Sequence, residues 1–183
     1  MIEGEEMLDL VNRRQSERRY LNKPVEKEKL GRILEAGRLS PSACNGQPWR
    51  FVVVDEPELR AEVAAATESQ VLRMNSFVQQ APVLIVIIRE KSNITSRAGD
   101  LLKNKDYSLI DIGIATASMA FQAAAEGLGT CIIGWLDEKK IRKLLGVPGS
   151  KKVELVLTVG YADSKNREKL RKKPGEAISF NRY

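Results

Sequence analysis

The chain has 183 residues, of which 43% are hydrophobic and 30% charged, a balance typical of one soluble globular domain spanning residues 1–183. It carries a formal net charge of +6 and no histidine, and the missing imidazole excludes Ser-His-Asp and Cys-His catalysis, haem ligation by histidine and the usual zinc sites. No apolar run approaches the ~20 residues that cross a bilayer, and the acidic residues 1–10 lack the apolar core of a signal peptide, so we expect a cytoplasmic protein.

Hydrophobic periodicity and the positions of proline and glycine predict a mixture of helices and strands. The predicted elements, in chain order, are helix 5–14, helix 26–38, strand 51–54, helix 57–66, helix 70–79, strand 83–88, helix 106–126, strand 130–133, helix 137–145 and strand 153–159. The continuous apolar run 83–88 indicates a strand buried in the middle of a sheet. The polar, aperiodic residues 91–105 indicate a surface loop or lid.

The segment 40–48, which leads into the first strand, is predicted to be a stiff loop. Pro41 and Pro48 restrict its backbone, while Ser42, Asn45 and Gln47 offer hydrogen-bond donors and acceptors on short side chains. Such a loop can form a pre-organised wall for a flat polar ligand. It can equally be a plain connection from helix to strand, and the residue types alone leave both interpretations open.

The predicted helix 106–126 is apolar on almost every side. A helix of this kind must be buried all round, and in a chain of this length a subunit interface is a natural way to bury it. Gly127 is predicted to cap its end. Cys44 and Cys131 are far apart in sequence and form no C-x-x-C pattern, so both are expected to be reduced.

Basic residues form two clusters at opposite ends of the chain. One contains Arg14 and Arg18, flanked by Arg13 and Arg19 and offset only by Glu17, and the other occupies residues 165–183, where seven basic residues face two acidic ones. Solvated surface and nucleic-acid binding are the alternatives, but neither cluster contains interleaved aromatics or a known nucleic-acid motif. Two compact clusters favour a clamp for a single phosphate.

Two glycine patterns do not meet the requirements of nucleotide-binding motifs. Residues 127–129 lie between a predicted helix and a strand, which is the reverse of the dinucleotide-binding order. Residues 129–134 have the glycine spacing of a P-loop, but Trp135 and Leu136 replace its lysine and hydroxyl residue. The chain is therefore neither a Rossmann domain nor a P-loop NTPase.

Several short motifs together resemble the FMN-dependent nitroreductase family. They are Arg14-Gln15-Ser16-Glu17-Arg18, Pro24-Val25, the run from Pro41 to Trp49, the run from Gly127 to Gly134, Gly160-Tyr161 and Lys169-x-Arg171-Lys172. The resemblance extends over about residues 8–178. It implies an α+β fold with a central, mostly antiparallel β-sheet flanked by helices. It also implies an intertwined homodimer with two FMN sites at the interface, in which residues 165–183 wrap around the partner.

The resemblance also implies which residues bind FMN. Cations from both clusters would grip the phosphate and the pyrimidine edge, Ser16 would bond the ribityl chain or phosphate, the loop 41–45 would line the ring from the partner subunit, and backbone N–H groups after the third strand would face N5 and O4. One more contact would come from Arg73 or Asn75, and spacing does not decide between them. Arg14 or Arg18 could instead cap the first helix, and Gly134 could serve only a turn. The implied cofactor-binding residues are Arg14, Gln15, Ser16, Arg18, Pro41, Ser42, Ala43, Asn45, Ile133, Gly134, Lys169 and Arg171.

The activity implied by the resemblance needs no histidine. A nicotinamide, NADH or NADPH, would pass hydride to FMN, leave, and be replaced by a nitroaromatic, a quinone or a similar acceptor in a ping-pong cycle. The cofactor does the chemistry, so no residue is predicted to be a catalytic acid or base. The alternative is a flavin- or nucleotide-binding protein without turnover. Neither nucleic acid nor a membrane is expected as a partner.

Overall fold

The computed structural model describes residues 3–69, 71–72, 74–90 and 106–183. The predicted loop 91–105 and Arg73 lie outside the described residues. The described elements are helix α1 (Gly4–Arg13), helix α2 (Lys27–Arg38), strand β1 (Trp49–Val54), helix α3 (Pro57–Ala65), strand β2 (Val83–Arg89), helix α4 (Tyr107–Ala125), strand β3 (Gly129–Ile133), helix α5 (Glu138–Leu144), strand β4 (Lys152–Gly160) and the short helix α6 (Pro174–Ala177).

The four strands form one antiparallel sheet in the order β1-β2-β4-β3. Strand β2 is interior and pairs with β1 from Trp49↔Arg89 to Val54↔Leu84 and with β4 from Val83↔Val159 onward. All six residues from 83 to 88 are buried, which confirms the prediction of a central strand. The α+β class with an antiparallel sheet flanked by helices is also confirmed.

Each face of the sheet is covered by its own helices, because successive side chains of a strand point to opposite sides. Residues 84, 86 and 88 of β2 pack with Val63 of α3 and Ile141 of α5. Residues 83, 85 and 87 pack on the other face with Ile33 of α2 and Met119 of α4. The hydrophobic core is therefore two layers, one on each side of β2 and β4.

Helix α4 is the longest helix among the described residues, and its end is built as predicted. Gly127 has a left-handed φ of 74°. Its N–H bonds to the carbonyl of Ala124 at 3.1 Å, and the N–H of Leu128 bonds to that of Ala123 at 2.8 Å. This pair of bonds is the Schellman motif, which satisfies carbonyls that the helix leaves unpaired.

The burial of α4 is one-sided within the single chain. Ile112 and Met119 are buried, whereas Leu109, Ile110 and Ile114 are 45%, 50% and 38% exposed. By length and composition alone α4 could cross a membrane, but it packs on α2 and the sheet as a core helix does. The predicted burial on all sides is thus not reached within one chain.

The predicted helix 70–79 is wrong over the described residues. Ser69 and Met74 form an isolated antiparallel bridge, and a short 3-10 helix covers Ser76–Gln80. Asn75 adopts a left-handed φ of 67°, and its side-chain amide donates to the carbonyl of Thr67 at 3.0 Å. A left-handed residue cannot continue an α-helix, and the local hydrogen bond of the asparagine stabilises the turn instead.

Two close contacts hold Tyr20 and the end of β4 against this core. The Tyr20 hydroxyl is buried and lies 2.6 Å from Oγ1 of Thr158, and it donates to the carbonyl of Glu17 at 3.0 Å. Gly160 packs so closely against Pro82 that a Cβ on it would lie 2.5 Å from Cδ of the proline ring.

On the surface, Arg32 of α2 donates twice to the Glu126 carboxylate, at 2.6 and 2.8 Å. This bidentate ion pair links the end of α4 to α2.

Candidate functional site

The structure brings the two basic clusters of the sequence together on one chain. The Lys169 ammonium donates to the carbonyl of Arg14, although the two residues are 155 positions apart. The Arg167 guanidinium donates to the carbonyl of Ser16 at 2.8 Å. Residues 164–169 therefore lie against residues 14–17.

The cations in this cluster form no ion pairs with carboxylates of the described residues. Burial and the neighbouring positive charges of Arg14 and Arg171 lower the pKa of the Lys169 ammonium. Within the described part of the chain, no carboxylate forms an ion pair with Arg14, Arg18, Lys169 or Arg171. Like charges that are held together without ion pairs favour the binding of an anion.

The cation cluster lies beside the first residues of the edge strand β3. The N–H of Glu17 donates to the carbonyl of Thr130 at 2.8 Å. Burial raises the pKa of the neighbouring Cys131 thiol, and the positive charge of Arg18 and a hydrogen bond with Ser16 act against that rise. Arg18 and Ser16 therefore lie beside β3.

At the far end of the same strand, Ile133 is buried and Gly134 is exposed. Among the described residues not adjacent to Gly134, the atom nearest to the position of a Cβ on it is Cδ2 of Leu155, at 3.8 Å. The backbone here is accessible to a ligand that runs along β3 from the cations.

A cleft of about 170 Å³ opens beside the cluster. It is bordered by residues 13–17, the end of α4 and the first residues of β3. Its lining includes Arg14, Gln15, Glu17, Leu128 and Thr130.

The loop before β1 is held by several internal hydrogen bonds. Cys44, Asn45 and Gln47 all have left-handed φ angles, of 50°, 53° and 43°. The Gln47 N–H donates to Oγ of Ser42 at 3.0 Å, and the Gln47 amide donates to Oδ1 of Asn45 at 2.9 Å. The N–H of Ala43 donates to Oδ1 of the buried Asp111 at 3.0 Å. Three left-handed residues in four positions are strained, and such strain is concentrated at functional sites.

This loop does not meet the cations of its own chain. It precedes β1, and the cations lie beside β3; these are the two edge strands, with β2 and β4 between them. Pro41, Ser42, Ala43 and Asn45 can therefore join such a site only on another copy of the chain, and their assignment as cofactor contacts stays a prediction.

Some predicted residues are engaged within the protein itself. The Gln15 amide donates to the carbonyl of Lys165 at 3.2 Å and accepts from the N–H of Arg167 at 3.1 Å. Asn75 bonds Thr67, as described above, and Arg73 is outside the described residues. The contact expected from one of these two stays a prediction.

Sequence reasoning missed two buried carboxylates. Glu17 is 2% exposed and Asp111 is 3% exposed. In the sequence, Glu17 is only a charge that offsets its arginine neighbours, and Asp111 is hidden within an otherwise apolar helix. The available signal was a single acidic residue in each of these surroundings. A buried carboxylate is stable where it accepts hydrogen bonds.

The chain resembles known proteins in both sequence and fold. The family model described as the nitroreductase family matches residues 11–161. The chain is 24% identical over 177 residues to an iodotyrosine deiodinase of Thermotoga neapolitana. The match spans 86% of this chain and 89% of that protein. It is 27% identical over 175 residues to an NADH dehydrogenase of Thermus thermophilus, covering 81% and 83%. An FMN-dependent nitroreductase structure from Clostridium difficile superposes with a TM-score of 0.80 at 29% identity, covering 96% and 99%.

Proposed function

Because the chain belongs to the nitroreductase family of oxidoreductases, as its motifs indicated, we propose that it is an NAD(P)H-dependent flavin oxidoreductase. Its cofactor is FMN. The proposed reaction takes hydride from NADH or NADPH and then reduces a nitroaromatic, a quinone or a similar small acceptor in a ping-pong cycle. A cytoplasmic location fits this proposal, because reduced nicotinamides are produced there.

The observation that carries the proposal is the cluster of four cations, none of which forms an ion pair among the described residues. FMN has a phosphate dianion, and Arg14, Arg18, Lys169 and Arg171 would supply the matching positive charge. Arginine suits this role because its planar fork donates two parallel hydrogen bonds to a phosphate. Ser16 would add a neutral hydrogen bond to the phosphate or the ribityl chain.

The other residues would position the flavin ring. When bound, FMN supplies the hydride chemistry. The exposed backbone at Gly134 and the neighbouring Ile133 would donate N–H groups toward N5 and O4, where negative charge gathers in the reduced ring. Fixed dipoles aimed at developing charge stabilise it without having to reorganise. No side chain is assigned a proton-transfer role.

A homodimer would complete this site and cover the exposed face of α4. That face presents Leu109, Ile110 and Ile114. The exposed Gly113 lies between them, and no described atom outside the helix backbone lies within 4 Å of the position of a Cβ on it. The glycine would let a second helix approach closely, and the apolar side chains around it would form the contact. In a two-fold symmetric dimer this patch would pack against the same patch of the partner. The strained loop 41–45 of the partner would then reach the cation cluster.

The segment after β4 also suits a dimer. Its apolar side chains are exposed in the single chain: Leu170 by 87%, Ile178 by 58% and Phe180 by 87%. We propose that residues beyond 171 wrap around the partner, while residues 164–171 stay on their own chain.

The visible spectrum of the purified protein tests the proposal. We expect a bound flavin, its anaerobic bleaching by NADH or NADPH, and reoxidation by one of three acceptors: a nitroaromatic, a quinone or a halogenated tyrosine. The last is included because relatives at 24% identity are iodotyrosine deiodinases. Protein that takes up no FMN would refute the proposal. Flavin that binds but is bleached by neither nicotinamide would support a binding protein without turnover.

A charge-removing variant tests the clamp directly. Lys169→Met should weaken FMN binding about 10- to 100-fold, because one charge-assisted hydrogen bond is lost. Lys140→Met on the exposed face of α5 removes the same charge elsewhere and should leave the affinity unchanged.

A further inference from the structure

Glu17 is a buried carboxylate beside the cation cluster, and it accepts hydrogen bonds from two distant segments of the chain. Its oxygens accept from the Ser164 hydroxyl at 2.7 and 2.8 Å. They also accept from the N–H groups of Arg18 and Arg19, at 3.0 and 3.2 Å, and from the Gln15 amide at 3.2 Å. One carboxylate thus joins residues 15–19 to the segment after β4.

The protein is built to accommodate this side chain. A Cβ on Gly129 would lie 2.8 Å from Cγ of Glu17, so only glycine leaves room for it. Burial alone would raise the pKa of Glu17, but the hydrogen bonds from Ser164 and the backbone outweigh it, and the pKa lies below the usual 4.5. The carboxylate is therefore ionised at neutral pH.

Polar contacts, and not apolar burial, hold the second half of the clamp in place. No residue from 161 to 183 is buried. Residues 164–167 are attached through Glu17, through the Gln15 bonds to Lys165 and Arg167, and through the bond from Arg167 to the carbonyl of Ser16. Lys169 follows two residues after the last of these contacts.

We propose that Glu17 is a positioning residue that assembles the phosphate clamp, by fixing residues 164–167 so that Lys169 and Arg171 are ordered beside Arg14 and Arg18 before the ligand arrives. The inference rests on the proposed function. A negative charge beside an anion site repels the anion, so the benefit lies in ordering the cations. Side chains that are already ordered lose less entropy on binding.

The charge-removing variant Glu17→Gln separates this role from simple electrostatics. By charge alone, it should strengthen the binding of an anion. In the proposed role it should weaken binding, because an amide nitrogen in place of Oε2 cannot accept from the Gln15 amide. The bonds that remain at Oε1 also lose the charge assistance of the carboxylate. With two cations left unordered, we expect a loss of FMN affinity of about 10- to 100-fold.

The experiment compares FMN with riboflavin, which has the same ring and ribityl chain but no phosphate. Dissociation constants from flavin fluorescence quenching give the ratio of the two affinities, which measures the phosphate contribution. Glu17→Gln should lower this ratio about 10- to 100-fold and leave riboflavin binding unchanged. Glu168→Gln, at an exposed carboxylate of the same segment, is the matched control and should not lower the ratio.

Each other outcome overturns the inference in a distinct way. Equal losses for FMN and riboflavin would show a general structural role, and an unchanged or higher ratio would show that Glu17 does not order the clamp. If Glu17→Gln does not fold, Ser164→Ala removes one hydroxyl from the network and should lower the same ratio. Wild-type protein that binds neither flavin would refute the proposed function itself, and with it the clamp.

Discussion

The exposed face of α4 gives the most demanding prediction, because the proposed site is complete only in a dimer. The change is Ile110→Glu. Burying a whole isoleucine side chain stabilises by about 1.5–3 kcal/mol, and Ile110 is 50% exposed, so its burial in an interface would contribute about half of that. Two-fold symmetry counts the contact twice, which gives about 1.5–3 kcal/mol per dimer, or roughly 10- to 100-fold in the dissociation constant.

The glutamate side chain weakens the dimer further than the lost apolar contact does. Each dimer would have to bury two unpaired carboxylates, at a cost of several kcal/mol each. Ile110→Glu should therefore be monomeric at micromolar concentrations. Since the partner's loop 41–45 is proposed to line the flavin ring, the variant should also lose FMN.

Sedimentation velocity across a dilution series measures the first effect, and flavin retention after gel filtration measures the second. Val71→Glu is the control, because Val71 is 93% exposed and follows α3, on the sheet face opposite to α4. Circular dichroism establishes that both variants are folded. A folded Ile110→Glu variant that remains a dimer would refute the assignment of this face as the interface.

Three further predictions concern stability. Gly160→Ala should destabilise the protein by about 1–3 kcal/mol, because its Cβ would overlap the ring of Pro82. Calorimetry should show a Tm that is lower by roughly 2–4 °C for each kcal/mol lost. Gly31→Ala is the control: no described atom outside the helix backbone lies within 4 Å of the position of its Cβ, so it should stabilise the protein by up to about 1 kcal/mol. The arginine hydrogen bonds lower the pKa of Glu126 to about 2 from the usual 4.5, so its stabilisation is complete above pH 4.5 and is lost as the pH falls toward 2. Urea unfolding of Glu126→Gln should therefore differ from wild type at pH 6 and converge with it near pH 2, and a constant difference would contradict this assignment. Tyr20→Phe removes two buried hydrogen bonds and should lower the free energy of unfolding by about 1–3 kcal/mol, whereas Tyr183→Phe at the exposed end of the chain should change nothing measurable.

The elements predicted correctly are those whose signal is local. The apolar run 83–88 is a buried strand because six consecutive apolar side chains need cover on both faces. Asp137 caps α5 through its side chain, and Gly127 ends α4. The helix predicted over 70–79 failed because Asn75 takes a left-handed conformation stabilised by a bond to Thr67. That interaction competes with the helix and leaves no trace in hydrophobic periodicity.

The same division holds within the candidate site. Charge clustering and the motif 14–18 predict an anion clamp from the sequence alone. The burial of Glu17 could not be predicted in this way, because it depends on Ser164 and on the space beside Gly129, and each of these is more than 100 positions away.

The sequence by itself determined the type of each long element, the family and the two groups of cations, because periodicity, capping and charge are properties of neighbouring residues. Only the tertiary structure decided that Lys169 meets Arg14 on the same chain and that loop 41–45 lies at the opposite edge of the sheet. It also decided that one face of the apolar helix α4 stays exposed. Each of these depends on how the strands are ordered and which helix covers which face, and those are set by packing between segments far apart in the chain.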